Sequence, residues 1–231
     1  MRRAEMKHTY LLLLSFAVTA GVAGAQSASA ILGRMDTAGP QFRSLTARME
    51  RLTHVAVIDD NNNETATMRA LRVKAKDIRV TLEFTKPDNK QVAVSERKVE
   101  IFYPKANRVE EWDLGKYKSL VDQFILLGFG STGKDLQKAY QVKFVKEDSV
   151  AGQKCTRLEL APKDPKVKQH YTKFELCIAD PGGYPVFQKL IEPSGNYTAI
   201  TYSDIKLNGD LSQGAMALKL PAGVKREYPQ R

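Results

Sequence analysis

Alternation of apolar and polar residues is the strongest pattern in the chain. The clearest case is the stretch "DIRVTLEFT", in which apolar side chains would share one face and polar or charged side chains the other. The apolar set is Ile78, Val80, Leu82 and Phe84. A period of two predicts a strand with one apolar and one solvated face. Similar segments recur along the chain, and about eleven or twelve strands are expected.

Short segments rich in Pro, Gly, Asn and Asp separate these strand-like segments. Because such residues favour hairpin turns, neighbouring strands are expected to pair antiparallel, in up-and-down order. No internal repeat and no linker divides the pattern, which therefore predicts a single domain. The predicted turns are residues 59–64, 86–90, 103–107, 180–185 and 192–196.

Two segments show helical periodicity instead. The stretch "SASAILGRMDTAG" predicts a short helix that is broken at Gly39-Pro40. In "LVDQFILLGFGSTGKDLQKAY", apolar residues such as Phe124 and Leu127 recur at helical spacing, and Ser131 or Thr132 can cap a second short helix. This predicts a helical pair in mid-chain, between the strands.

The glycine-rich stretch "GFGSTGK", residues 128–134, resembles a nucleotide-binding loop but lacks the chemistry of one. A P-loop needs Ser or Thr after its lysine to hold magnesium, and Asp135 stands there. A dinucleotide fingerprint follows a strand, whereas the residues before Gly128 have helical spacing. We therefore predict that the glycines separate two helices and that no nucleotide is bound.

The two cysteines lie on neighbouring predicted strands, Cys155 in "QKCTRLEL" and Cys177 in "YTKFELCIA". If they pair directly across, opposite charges and apolar residues also match, which favours this register and, in an exported chain, a disulfide. Two unpaired thiols are the alternative. The further pairs of this register are Arg157 with Glu175, Glu159 with Lys173, Leu158 with Phe174 and Thr156 with Leu176.

The N-terminus has the pattern of a secretory signal peptide. Basic residues precede an apolar run that begins at Tyr10, and small residues follow it. Cleavage is expected after Ala25, with Ala30 as the second candidate. Residues 1–25 are therefore predicted to be a signal peptide and residues 26–231 a single mature domain, exported to the periplasm.

Composition and charge give no support for catalysis or for nucleic-acid binding. His54 and His170, the histidines outside the predicted signal peptide, are too scattered for a zinc site or a Ser-His-Asp triad. The formal net charge is +10, but Lys and Arg are spread along the strands without an aromatic-interleaved basic block. Such charge favours anionic membrane surfaces or acidic partners. We predict no enzyme, no metal site and no cofactor.

Three stretches carry a resemblance that extends over the whole predicted mature chain. They are "YKSLVDQFILLGFGSTGKDLQKAYQVKF", "CTRLELAPKDPKVKQHYTKFELCIAD" and "GYPVFQKLIEPSGNYTAITYSDIKLN". In this order, after a signal peptide and a helix, they resemble the outer-membrane lipoprotein carrier protein (LolA) family and its lipoprotein-sorting relatives. The resemblance implies a mainly β fold, an incomplete antiparallel β-barrel covered by short α-helices that form a lid.

The resemblance also implies a function. Family members shield the acyl chains of lipoproteins under the lid and carry them from an inner-membrane transporter to an outer-membrane acceptor. This implies a monomeric periplasmic carrier. The alternative is a lipid- or lipoprotein-sensing or glycolipid-binding module of the same fold, without transfer. The candidate lipid-binding residues are Ile78, Val80, Leu82, Phe84, Ile101, Phe124, Leu127, Phe129, Leu158, Phe174 and Leu176.

One family feature is missing from its expected place. Family members often fasten the lid with an Arg at an early turn, where this chain has Ala75 and Lys76. Arg79 is the alternative, but alternation directs it away from Ile78 and Val80. The sequence therefore does not identify a residue that holds the lid.

Overall fold

The structure is a computed structural model that describes residues 19–74, 77–95, 97–115 and 127–230, with side chains described from residue 28 onward. Twelve strands in this part of the chain form one sheet, accompanied by helices α1 (Thr19–Gln41), α2 (Gly133–Ala139) and α3 (Pro165–Lys168). Short 3-10 helices span Pro104–Ala106 and Gln213–Met216. The strands are β1 (Ser44–Val55), β2 (Asp60–Lys74), β3 (Asp77–Lys86), β4 (Lys90–Val94), β5 (Lys98–Tyr103), β6 (Arg108–Asp113), β7 (Tyr140–Val150), β8 (Gln153–Pro162), β9 (Lys173–Ala179), β10 (Pro185–Ile191), β11 (Tyr197–Leu207) and β12 (Lys225–Glu227).

The strand order in the sheet is β12-β6-β5-β4-β3-β2-β1-β11-β10-β9-β8-β7. Neighbouring strands are antiparallel except β12 and β6, which run parallel. Two up-and-down runs therefore meet where β1 pairs with β11, and the sheet stays open. This confirms the predicted fold class, a mainly β protein with an incomplete antiparallel sheet and short helices.

One face of the sheet, called the inner face here, is covered by the helices over β7 to β10. α1 packs against α2, β7 and β8. β7 lies at one end of the sheet and β6 is second from the other end, so the connection formed by residues 114–139 joins two distant strands. The described part of this connection, residues 127–139, lies against the inner face, with Leu127 and Leu136 buried among residues of α1, β8 and β9.

Several expectations concern residues outside the described part of the chain. They include most of the predicted signal peptide (residues 1–18), Ala75 and Lys76, and Phe124 with the predicted helix around it. α1 spans both predicted cleavage points and ends at Gln41, so Gly39-Pro40 lies in its last turn rather than after it. Among the described residues, no helix combines the length and apolarity needed to cross a membrane.

Four of the five predicted turns separate consecutive strands as expected, and the first is wrong. The hairpin between β1 and β2 turns at residues 56–59, so residues 60–64 already belong to β2. In the strand register His54 lies opposite Asn61, and His54 Nδ1 is 3.0 Å from Asn61 Oδ1. These Asn residues therefore have cross-strand partners instead of forming the turn that their residue type favours.

Cys155 and Cys177 form the predicted disulfide, with their Cα atoms 5.5 Å apart. The predicted register of β8 and β9 is nevertheless wrong by two residues. Cys155 lies opposite Ala179, and Cys177 lies opposite Arg157, so the disulfide joins diagonal neighbours. Likewise Leu158 lies opposite Leu176 and Thr156 opposite Ile178.

Charged residues of β8 and β9 also pair diagonally. Glu159 lies opposite Glu175, yet Lys173 Nζ is 2.9 Å from Glu159 Oε2. Arg157 Nη1 is 3.6 Å from Glu175 Oε2, although its direct partner is Cys177. A shift by two residues leaves every side chain on its original face, so neither alternation nor charge matching distinguishes the two registers.

Candidate functional site

An apolar cavity of about 200 Å³ lies between the inner face and residues Gly128 and Phe129. Its floor comes mainly from β1 to β4 and from β11, which the strand order places side by side. Gln188 of β10 completes the wall. The lining residues are Met49, Met68, Ala70, Ile78, Val80, Leu82, Val94, Gly128, Phe129, Gln188, Ile200 and Tyr202.

Cross-strand pairing assembles this floor from side chains that are distant in sequence. Met68 lies opposite Leu82 in the β2–β3 pair. Met49 of β1 lies opposite Tyr202 of β11, although more than half of the chain separates them. Because residues directly opposite each other in an antiparallel pair point to the same face, they form one continuous apolar surface.

Phe129 covers the cavity from above. Its side chain is only 4% exposed, although it belongs to a loop. The ring meets Tyr202 edge-on at a centroid distance of 5.2 Å. It also stacks on Tyr184 at 6.1 Å and on Phe42 at 6.4 Å. Aromatic contacts on both sides therefore fix the ring over the cavity.

Two hydrogen bonds hold the loop that carries Phe129. Gln188 Nε2 donates to the carbonyl oxygen of Leu127 at 2.7 Å. Arg72 Nη2 donates to the carbonyl oxygen of Gly130 at 2.9 Å. These donors belong to β10 and β2, so the loop is fastened to the sheet on both sides of Phe129.

Arg72 also connects the loop to the end of α1. Its Nη1 donates to the carbonyl oxygen of Pro40 at 3.3 Å, and its guanidinium lies 5.5 Å from the centre of the Phe42 ring. Burial lowers the pKa of Arg72, yet an arginine remains protonated in proteins. Gly130 has a φ of +86°, and a Cβ there would lie 2.5 Å from Arg72 Nη2, so only glycine fits beside this contact.

The polar groups in the cavity wall are neutral and paired. The Tyr202 hydroxyl donates to Gln188 Oε1 at 3.4 Å. Burial raises the pKa of Tyr202, so the phenol stays protonated. No described residue of the lining is ionised at neutral pH, and none supplies a nucleophile next to a base. The site can therefore hold an apolar ligand, because burying apolar surface in it costs no desolvation of charge.

Beyond the cavity, towards the first hairpin, the inner face ends in a charged network around Phe84. Arg51 and Lys90 lie over the Phe84 ring, at 5.0 Å and 4.6 Å from its centre. Both also bind the buried carboxylate of Glu64, through Arg51 Nε at 2.7 Å and Lys90 Nζ at 2.6 Å. Burial alone would raise the pKa of Glu64, but the hydrogen bonds from Lys90 and Arg51 outweigh it and lower the pKa. The carboxylate stays ionised and closes this end of the apolar surface.

The predicted lipid-binding residues separate into groups. Ile78, Val80, Leu82 and Phe129 line the cavity. Phe84 belongs to the same apolar cluster but lies beyond the lining, and half-buried Ile101 is on the same face opposite Val92. Leu127, Leu158, Phe174 and Leu176 lie in a second cluster, packed beneath α1 and α2. Phe124 is outside the described residues.

Sequence reasoning missed Arg72 and Gln188, the two residues that hold the loop. Each leaves a signal in the alternation pattern. Arg72 follows Met68 and Ala70 at inward positions of β2, and Gln188 precedes Leu190 at an inward position of β10. A polar residue at an inward position of an otherwise apolar strand needs a buried partner. Here the partner is the loop backbone.

The stretch "GFGSTGK" has the structure of a helix start. Thr132 caps α2 and forms a capping box with Asp135, as the sequence predicted for Thr132 or Ser131. The backbone N–H of Lys134 donates to Asp36 Oδ1 at 3.0 Å, and that of Asp135 donates to Thr132 Oγ1 at 3.0 Å. Side chains of the protein therefore occupy donors that a phosphate would need.

The described structure is an open sheet with an apolar cavity under the loop that carries Phe129. Residues 71–218 match the family described as outer membrane lipoprotein carrier protein LolA. The match covers more than half of the chain, so the protein belongs to the LolA family. The family is one of carrier and binding proteins, which supports a lipid- or lipoprotein-binding role. A comparison with curated proteins gives no match.

Solved structures are similar to this chain at low sequence identity. MucB is similar at 19% identity and a TM-score of 0.52, with 87% of this chain and 64% of the MucB chain covered. An uncharacterized conserved protein from Thermus thermophilus is similar at 14% identity and a TM-score of 0.53, with 88% and 99% covered. The MucA/MucB complex of Pseudomonas aeruginosa gives 18% identity and a TM-score of 0.47, with 83% and 61% covered. The chain thus spans less than two thirds of the MucB chains, and the two likenesses with TM-scores above 0.5 concern the fold alone.

Proposed function

We propose that the protein is a periplasmic carrier that shields the acyl chains of lipoproteins or lipids in the cavity under Phe129. The observation that carries this proposal is the lining of the cavity, in which aliphatic and aromatic side chains surround a space without ionised groups. Each methylene moved from water into such a space contributes about 0.8 kcal/mol. Burial of several methylenes of an acyl chain is therefore enough for binding.

The cover of the cavity suits repeated loading and release. It is a loop held by the Gln188–Leu127 and Arg72–Gly130 hydrogen bonds, and each such bond contributes only about 0.5–1.5 kcal/mol net. The Phe129 ring loses its aromatic contacts only while the loop is open and regains them when the loop closes over the bound chain. The free-energy cost of opening is thus small compared with the gain from burying several methylenes.

In this proposal the signal peptide directs the chain to the periplasm, where it acts as a monomer. A transporter of the inner membrane supplies the cargo, and an acceptor at the outer membrane takes it. Membership of the LolA family supports this route. The exchange requires no chemical step, so the protein needs no cofactor.

The test places a charge in the cavity. In Leu82→Arg a guanidinium would occupy the position where the acyl chain lies, and burying an unpaired charge is costly. Binding of a fluorescent fatty-acid probe should fall at least about tenfold, which corresponds to about 1.4 kcal/mol. The measurement is a titration of purified, delipidated protein with the probe.

The matched control is Thr85→Arg. Thr85 is exposed on the same strand and faces away from the cavity, so this variant should bind the probe like the wild type. The proposal is contradicted if folded Leu82→Arg retains wild-type affinity, or if both arginine variants lose affinity equally. Transfer of a loaded lipoprotein to acceptor vesicles then separates a carrier from a module that only binds or senses lipid.

A further inference from the structure

A second cavity of about 150 Å³ lies on the other side of Phe129. Phe42 and Tyr184 form aromatic walls of this cavity, and Gly130 and Asn208 are also part of its lining. The Asn208 amide is already paired, because its Oδ1 accepts from Arg43 N at 2.8 Å and its Nδ2 donates to Gln41 O at 3.1 Å. An apolar chain could therefore lie against this lining without leaving that amide unpaired.

Phe129 is the residue that both cavities share in their aromatic lining. Tyr202, which contacts one edge of the ring, belongs to the first cavity, whereas Phe42 and Tyr184 belong to the second. The ring is therefore a partition between two spaces, and the hydrogen bonds of the loop on either side of it keep it in place.

We propose that Phe129 determines the length of acyl chain that the protein accepts. This inference rests on the proposed function, since it concerns the ligand of the same cavity. With the ring in place, a chain fills the first cavity and its further methylenes remain in water. When the ring is absent, the two spaces join, and a longer chain continues towards Phe42 and Tyr184.

The proposal predicts a specific dependence of affinity on chain length. While added methylenes still enter apolar space, affinity should rise by roughly fourfold for each one. Once a chain reaches the Phe129 ring, further methylenes should add little, and affinity should reach a plateau. The position of that plateau, rather than the absolute affinity, reports where the partition stands.

The experiment measures displacement of a fluorescent probe by saturated fatty acids from octanoic to stearic acid. In Phe129→Ala the plateau should move to chains longer by at least about two methylenes, so that the longest acids gain about tenfold or more relative to the wild type. The matched control is Phe102→Ala. It removes a ring of equal size and similar burial that lines neither cavity and points to the opposite face of β5 from Ile101, so its plateau should stay at the wild-type length.

Phe129→Leu and Phe129→Val keep the test decisive if Phe129→Ala does not fold, because the plateau should move further as the side chain becomes smaller. The inference is overturned if the plateau of the folded Phe129 variants equals that of the wild type, or if Phe102→Ala moves it by the same amount. If the wild type binds no fatty acid of any length, the proposed function fails with it. If the wild type shows a plateau and no Phe129 variant moves it, the proposed function stands and only the role of Phe129 is contradicted.

Discussion

Both halves of the inner face consist of strands in which apolar and polar residues alternate. The two halves differ in the elements that cover them. Over β7 to β10, α1 and α2 bury Leu158, Leu160 and Leu176 completely. Over β1 to β4, the β3 side chains that line the cavity, Ile78, Val80 and Leu82, remain half-buried, because the described cover there is the loop around Phe129. Strand sequence alone thus specifies an apolar surface, and the covering elements decide whether that surface becomes a core or a cavity.

The packed half should carry the stability of the protein and the open half its binding. A helix contributes side chains from several turns and can pack against the sheet at the density of a protein interior, whereas a loop with one aromatic ring cannot. The two roles can therefore be separated by mutation. The following variants test that separation in order of decreasing effect.

The largest effect is expected from truncating a leucine in the packed half. Leu158→Ala should lower the free energy of unfolding by about 3–5 kcal/mol, because it leaves a cavity among fully buried neighbours. Leu82→Ala in the open half should cost less than about 2 kcal/mol, because its side chain is only half-buried. Urea unfolding measures both. Equal losses would show that the open half is packed as tightly as the other.

Removing the disulfide should weaken the protein without changing the site. The bridge joins residues 22 apart on the face of the sheet opposite to the cavity, so its loss should lower stability by about 3 kcal/mol on the chain-entropy account. The double variant Cys155→Ala/Cys177→Ala should keep wild-type affinity for a fatty-acid probe. Thiol titration of the unfolded wild type should find no free thiol. A large loss of probe binding in the double variant would contradict the separation of stability from binding.

The charged network around Glu64, at the end of the open half, should make a pH-dependent contribution to the free energy of unfolding. The pKa of Glu64 is lowered in the folded state, so its contribution is present above about pH 4.3, the usual glutamate value, and is lost as the pH falls through the lower native value. Glu64→Gln should cost about 1–3 kcal/mol at neutral pH and nearly nothing at the acid end. Urea unfolding at a series of pH values compares the two proteins. A cost that does not change with pH would contradict the ionised network.

The smallest effect is expected at the glycine-rich stretch. The Lys134 side chain is exposed, and its position in α2 depends on backbone bonds that alanine retains. Lys134→Ala should therefore change stability by less than about 0.5 kcal/mol and leave probe binding unchanged. Nucleotide binding by the wild type that disappears in this variant would instead restore the phosphate-loop interpretation.

The features of the cavity that follow from the sequence are local. Alternation within "DIRVTLEFT" places Ile78, Val80 and Leu82 on one face, and the cavity uses that face. The residues that were missed, such as Met49 and Tyr202, reach the cavity through the β1–β11 pair. Periodicity identifies the faces of single strands but does not say which distant strands become neighbours.

The register of β8 and β9 illustrates a second limit. Charge complementarity correctly brought Lys173 near Glu159, but it did not distinguish a direct from a diagonal neighbour. Long side chains reach across both distances in a twisted sheet. The disulfide prediction was confirmed despite the wrong register, because cysteines at diagonal positions on one face are still close enough to bond.

The position of β1 in the sheet has a consequence for the order in which the protein can fold. β1 pairs with β2 through a short hairpin, but its other edge pairs with β11, which is distant in sequence. Leu45 therefore lies opposite Leu207 only when almost the whole chain is available. Contacts between such distant residues make folding slow, and an unpaired central strand invites association with other chains until it is covered. A chain that ends before Tyr197 would lack β11 and with it Ile200 and Tyr202. The lining of the cavity is therefore completed only after the last long strand has joined the sheet.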